Sequence, residues 1–205
     1  MAVDFKRSKT KENLMRAFAG ESQARNRYTI AAQTARAQKM YAVSEVFLFT
    51  AEQERAHAKR FYDLLKNQAG TTIEIDGSYP IDHFDSIPEL LKSAHHNEME
   101  EADDVYQAFG EEAKEEGIIE AASAFFHIAK IEAVHARRFE KLAELLETGR
   151  YFESSETEYW MCLNCGNIHK GTRVPEVCPV CLEEKGYFIP ADLAPYLRED
   201  PMVIY

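Results

Sequence analysis

Glu21, Glu54, His57, Glu98, Glu101, Glu132 and His135 are polar residues in apolar company. They share helical stripes with Leu14, Phe18, Phe47, Phe61, Leu91, Phe125, Ile128, Phe139 and Leu142. A carboxylate on such a stripe is carried into the core when the helix packs, at a cost of several kcal/mol unless its charge is compensated. Nearby basic residues, Arg25, Arg55, Lys59 and Arg60, fall mostly on other faces. Metal ions would compensate several acids at once, and mixed carboxylate and imidazole donors suit iron or manganese. In Glu54-x-x-His57 and Glu132-x-x-His135 the paired side chains lie three apart and leave the same side of a helix. Two such pairs, with one Glu from each of two other helices, make a dinuclear carboxylate arrangement. Glu101, one turn beyond Glu98, either adds a carboxylate to one ion or stands beside it as a further acid. Tyr28 and Tyr106 either hydrogen-bond the metal-binding carboxylates or pack as core aromatics.

A second constellation is Cys162-x-x-Cys165, twelve residues, then Cys178-x-x-Cys181, which uses every cysteine in the chain. Two such knuckles close a tetrahedron of thiolates. Tetrahedral sulfur suits zinc and iron alike. Gly166, the Cys178-Pro-Val-Cys181 knuckle and a small aromatic core of Tyr159, Trp160 and Phe188 lean toward iron. His83, His95, His96, His127 and His169 are out of register with both constellations and read as ordinary polar residues.

Four long helices must position the acids. The pattern predicts them over Lys11–Gln38, Val43–Asn67, Pro88–Gly117 and Ile118–Glu147, the last stopped by Gly149. Between the second and third lies a polar connection with Gly77 and Pro80. One long crossover among short turns is the ferritin-like arrangement of a bundle. The segments ERAHAKRF (54–61) and EAVHARRF (132–139) repeat, each preceded by a lone core-face Glu, 33 residues upstream in one case and 34 in the other. Two helical hairpins related by a pseudo-two-fold axis account for this. The expected organisation is a mainly α chain: a ferritin-like dinuclear-metal domain at 1–149, a linker at 150–158, a small four-cysteine β/loop metal domain at 159–190, and a tail at 191–205.

The net charge of −11 comes with no long Lys/Arg cluster, which argues against nucleic acid as a partner. No run of apolar residues is long enough to span a membrane, and no secretory leader is evident. Clustered, paired cysteines favour metal over disulfides, and the cytoplasm as compartment.

With both constellations in hand, the chain resembles the rubrerythrin family, from helix one to Phe188. AGESQARNRY, ERAH, NEMEEADDVY and EAVH carry the likeness to its ferritin-like di-iron domain, and WMCLNCGNIHKGTRVPEVCPVCLEEKGYF looks like a rubredoxin module, so 159–190 is expected to be rubredoxin-like. The resemblance implies a peroxidase that reduces hydrogen peroxide to water, with two irons in the bundle and one held by the cysteines. It implies that Glu21, Glu54, Glu98, Glu101, Glu132 and His135 bind the iron pair, Glu54 and Glu132 bridging. One iron would move on reduction from Glu101 to His57, and Tyr28 and Tyr106 would hydrogen-bond the ligands. It also implies electrons from a rubredoxin or an NADH-dependent reductase, and a head-to-tail homodimer or larger homo-oligomer. A ferroxidase, an iron-storage protein and an oxygen-reducing protein are the alternatives. A dedicated electron-input module argues against the first two. The sequence 191–205 departs from the family pattern.

Overall fold

The computed structural model describes residues 3–195, so 196–205 of the expected tail lie outside the described residues. Ser8 caps α1 (Lys9–Ala37) by accepting a hydrogen bond from the Lys11 N–H. The α2 helix (Tyr41–Leu64) follows after a three-residue turn. An extended crossover then leads to α3 (Ile87–Glu100), capped by Ser86 with Pro88 in its first turn. The long third helix of the sequence reading is interrupted: Glu101–Val105 form a π turn before α4 (Tyr106–Glu115). The last helix, α5 (Ile119–Glu147), ends before Gly149, whose φ of 71° suits a helix stop. The α1 helix packs along α2, and α3–α4 along α5.

The π turn explains the unequal repeat. Advancing 78 positions carries Tyr28, Phe47, Glu54, His57 and Phe61 onto Tyr106, Phe125, Glu132, His135 and Phe139. Glu21 reaches Glu98 in only 77, so the second hairpin holds one extra residue between Glu98 and Tyr106. A single inserted residue in a helix is absorbed as a π turn, and it lies there. The turns on either side of the axis also match. Lys39 (φ 61°) and Gly117 (φ 77°) each precede a residue whose N–H reaches back to an alanine carbonyl, Ala35 or Ala113.

Two apolar clusters fill the bundle. Tyr28, Phe47, Leu91, Phe139 and Leu142 lie in one, and Leu14, Phe61, Tyr106, Phe125 and Ile128 in the other. Each tyrosine sits among its own phenylalanines, Tyr28 with Phe47 and Phe139, Tyr106 with Phe61 and Phe125.

The stretch 150–158, expected as a linker, is largely structured. Tyr151 is buried, and its backbone carbonyl accepts the Trp160 indole N–H at 3.1 Å. The β1 strand (Glu153–Cys162) already begins at Glu153, paired with Arg173. Its first half is mostly exposed on both faces, which is why no alternation shows in the sequence. With β2 (Ile168–Arg173) and β3 (Phe188–Pro190) it forms an antiparallel sheet in the order β2-β1-β3. The strand period puts Trp160 inside with Phe188, whereas Tyr159 turns outward under the Lys170 ammonium, so Tyr159 is not part of the expected aromatic core. The module docks on the α1–α2 turn. Tyr187 stacks on Tyr41 at 4.3 Å, and Glu184 pairs with Lys39 at 2.8 Å. A Cβ on Gly186 would come within 1.8 Å of the Lys39 carbonyl oxygen, so only glycine fits there.

Candidate metal centres

Each helix of the bundle delivers its acid between the two apolar clusters. Glu21, Glu54, Glu98, Glu132 and His135 are at most 2% exposed. They converge in two groups that share members: Glu21, Glu54, His57 and Glu132, then Glu54, Glu98, Glu132 and His135. The division of oxygens is informative. Glu132 turns Oε1 toward His57 Nδ1 (2.9 Å) and Oε2 toward His135 Nδ1 (2.8 Å). Glu54 does likewise, Oε2 lying 3.1 Å from His57 Nδ1 and Oε1 3.0 Å from His135 Nδ1. These two carboxylates therefore face both groups. The outer pair are each tied back by a phenol. Tyr106 donates to Glu21 Oε1 at 2.5 Å, and Tyr28 donates to Glu98 Oε1. Both tyrosines thus hydrogen-bond carboxylates and pack in the core.

The remaining donor atoms test whether a metal fits. Glu21 Oε2, Glu54 Oε1, Glu98 Oε2, both Glu132 oxygens and His135 Nδ1 are buried without a hydrogen-bond partner. Several approach one another within 3 Å, but off the directions a hydrogen bond requires. Unpartnered buried polar atoms cost about 1–3 kcal/mol each. Six of them aimed at one space suit cations in that space.

Proton affinities tell the same story. Burial, then Glu132 and Glu54, push Glu21 well above the usual carboxylate range, and burial with Glu54 does the same to Glu98. Burial disfavours charge on both imidazoles, but the surrounding carboxylates outweigh it and push His57 up to about 10 and His135 up to about 12. Burial also works against Glu54, yet the two histidines hold it down at about 2. The cluster gathers positive charge, from protons or from metal.

Glu101 stands apart. It belongs to neither group and lies partly buried on the π turn, its Oε1 near Gly20. Burial, with Glu132 and Glu54 nearby, pushes it up to about 8. The structure brings His57, not Glu101, into the first group. The five histidines read as ordinary polar residues belong to no metal-binding group among the described residues. His95, His127 and His169 bond to backbone carbonyls instead.

Gln53 is a functional neighbour the sequence reading missed. Its Oε1 accepts from His135 Nε2 at 3.1 Å, which leaves Nδ1 bare toward the carboxylates. The contact crosses from α2 to α5, and no linear spacing announces it. Gln53 also lines a cavity of about 520 Å³ between α2, α5 and the cysteine module, with Phe49, Val134, Arg138 and Leu163.

The four cysteines are free and converge. Cys162 and Cys181 Sγ are 3.8 Å apart, as are those of Cys165 and Cys178. That is far beyond a disulfide bond. A tetrahedron with metal–sulfur bonds of about 2.3 Å has edges of about 3.8 Å, so the four thiols suit one such ion. Each knuckle closes with a backbone bond, Gly166 N–H to Cys162 O and Leu182 N–H to Cys178 O. Burial pushes Cys162 up to about 12, while the Asn164 side chain and the Glu183 N–H hold Cys181 down at about 6.

Fold and sites together define a ferritin-like di-iron protein with a rubredoxin-like module. The rubrerythrin family model matches residues 12–143, and the model of the rubrerythrin rubredoxin-like domain matches 160–189. Rubrerythrin of Clostridium perfringens is 45% identical over 184 residues, which is 89% of this chain and 94% of that protein. Rubrerythrin of Porphyromonas gingivalis is 44% identical over 190 residues, 93% of this chain and 94% of that one. A solved structure of nigerythrin in a mixed-valence state has a TM-score of 0.60 at 31% identity, covering 92% of this chain and 91% of that one. The chain belongs to the rubrerythrin family. Its cofactors are two irons at the carboxylate–histidine site and one at the four cysteines. It is an iron-based oxidoreductase. Among the described residues no helix is long and apolar enough to cross a membrane.

Proposed function

We propose that this chain is a non-haem di-iron peroxidase that reduces hydrogen peroxide to water, with electrons arriving through the four-cysteine iron. The observation that carries this reading is the pairing of a buried carboxylate–histidine cluster with a four-thiolate module docked on the same bundle. A ferroxidase obtains electrons from incoming iron and has no use for such a module.

In this reading Glu21, Glu54, His57 and Glu132 would hold one iron and Glu54, Glu98, Glu132 and His135 the other, Glu54 and Glu132 being shared by both groups. Glu101 is an alternative carboxylate for the first position, in exchange with His57. Cys162, Cys165, Cys178 and Cys181 hold the third iron. When bound, the iron pair supplies two electrons and Lewis acidity for cleaving the O–O bond. The chain supplies order and protons. Tyr106 and Tyr28 fix the outer carboxylates by one oxygen each, so the other oxygen points inward. When it is not holding iron, Glu101 can carry a proton, since burial in the metal-free chain pushes its carboxyl up to about 8. Reduction of H₂O₂ consumes two protons and two electrons and yields two waters.

The electron donor is a rubredoxin or an NADH-dependent reductase, and the assembly a homodimer or larger homo-oligomer. Apolar Val177, Val180 and Leu182 are exposed around the second knuckle and suit such contacts. Four free thiols suit the reducing cytoplasm.

The test is anaerobic. Fully reduced protein is mixed with one equivalent of H₂O₂ or of O₂ and followed by its absorbance. Fast oxidation by peroxide, slow oxidation by O₂, and return of the ferric cysteine-site band support the reading. Fast reaction with O₂ and little with peroxide would replace it with an oxidase or ferroxidase.

A further inference from the structure

Between α1 and the chain from Asn97 to Phe109 lies a cavity of about 190 Å³. Glu101 and Tyr106 line its inner end, and Tyr79 and Pro80 of the crossover line its outer side. Beyond Tyr79 is an open depression of about 570 Å³, with Ser78, Lys92 and His96 on its walls. Tyr79 lines both, together with Ser78, Pro80, Asn97 and Glu100, and its ring stands between them.

Gly20 completes the arrangement. It lies inside α1, one residue before Glu21. A Cβ there would meet Tyr79 Cε1 at 3.9 Å and Glu101 Oε1 at 4.0 Å, both ordinary contacts. Alanine would therefore fit, and inside a helix it is favoured over glycine by about 1 kcal/mol. Packing gives no reason for glycine here. What glycine leaves is a gap about the size of a methyl group between the Tyr79 ring and the Glu101 carboxylate.

Tyr79 is held in place from several sides. Its hydroxyl folds over Gly77, where a Cβ would stand 3.1 Å from that oxygen. Asp76 pairs with Arg16 at 2.7 Å before it in the chain. After it, Asp82 pairs with Arg27 and accepts from Asn97.

We propose that the gap bounded by Gly20, Tyr79 and Glu101 is the inlet by which oxidant reaches the metal site, and that Tyr79 restricts it to molecules the size of hydrogen peroxide. A hydroperoxide carrying an alkyl group would have to displace the Tyr79 ring. The inference rests on the peroxidase reading, and its test includes an arm independent of that reading.

Full-length, iron-loaded wild type, Gly20→Ala, Tyr79→Ala and Tyr79→Phe are compared by thermal midpoint. Their reduced forms are then mixed with H₂O₂ or tert-butyl hydroperoxide, and iron loss to bipyridyl is timed. Gly20→Ala is expected to be at least as thermally stable as wild type yet to react with H₂O₂ roughly tenfold more slowly. Tyr79→Ala is expected to shrink the preference for H₂O₂ over tert-butyl hydroperoxide by roughly tenfold and to speed iron loss. Tyr79→Phe should change neither, because the hydroxyl contact to the Arg16 carbonyl is long, at 3.4 Å. Wild-type rates in Gly20→Ala, or unchanged selectivity in Tyr79→Ala, overturn the inlet. If wild type does not react with H₂O₂ at all, the peroxidase reading fails and bipyridyl decides. Iron loss that is faster in Tyr79→Ala and slower in Gly20→Ala upholds the inlet, and equal rates overturn it.

Discussion

Replacing Gln53 by leucine keeps most of the side-chain volume and removes the oxygen that accepts from His135 Nε2 at 3.1 Å. That bond fixes which ring nitrogen carries the proton, and so leaves Nδ1 free to bind metal. Loss of such a partner costs metal affinity by roughly 10- to 100-fold, or about 1.4–2.7 kcal/mol. His135 is only 1% exposed, which favours the larger figure. Gln53, however, borders a cavity of about 520 Å³, from which a water can reach the vacated place. The expected loss is therefore near the lower end, about tenfold. The assay is an anaerobic Fe(II) titration of metal-free protein against a competing chelator, with Gln53→Glu beside Gln53→Leu. Glutamate offers a charged acceptor to the same N–H and should tighten binding. Melting of the metal-free variants separates lost affinity from lost fold. Affinities of both variants within twofold of wild type would refute the idea that Gln53 orients His135.

Three further outcomes are expected. Stability of the metal-free protein should fall as pH rises from about 6.5 to 10. His57 is raised to about 10 and His135 further, so their stabilisation is complete below the unfolded value of 6.5 and is lost as pH climbs through the folded ones. Glu101, raised to about 8, adds a penalty that grows above 4.5, whereas Glu54, lowered to about 2, loses its contribution only in strong acid. Metal-loaded protein should show the reverse slope at moderate pH, because protons compete with iron, and melting curves across pH check both. Tyr106→Phe leaves buried Glu21 Oε1 without its donor and should cost about 1–3 kcal/mol in denaturant unfolding of the metal-free chain. Leu182→Gly should stabilise the metal-loaded cysteine module by about 1 kcal/mol, read as a higher melting point, because Leu182 sits at φ 62° and is mostly exposed.

Much of the site was legible because its spacing is local. The two Glu-x-x-His pairs and the two cysteine knuckles are each set by one turn of chain, and the structure brings each set together. The π turn was harder, since EADDV reads as plain helix. Its signal was the mismatch of 33 against 34 residues, visible only when the hairpins are laid side by side. Gln53 and Asp82 act across helices, and the crossover carrying Tyr79 has no periodicity to read. The supposed linker misled because Tyr151 and Trp160, nine residues apart, anchor an otherwise exposed strand.

Two of the cavities lie on opposite walls of the bundle, one beside Glu101 and Tyr106 and the other beside Gln53. One opens between α1 and α3–α4, the other between α2, α5 and the cysteine module. In the proposed reading each of these seams serves a different traffic. Under the inlet proposal reactant and product would pass on the Tyr79 side, whereas Leu163, next to Cys162, and Gln53, bonded to His135, share the other. A plug in one seam leaves the other clear, so on that proposal mutation would adjust supply of reducing equivalents and supply of substrate one at a time.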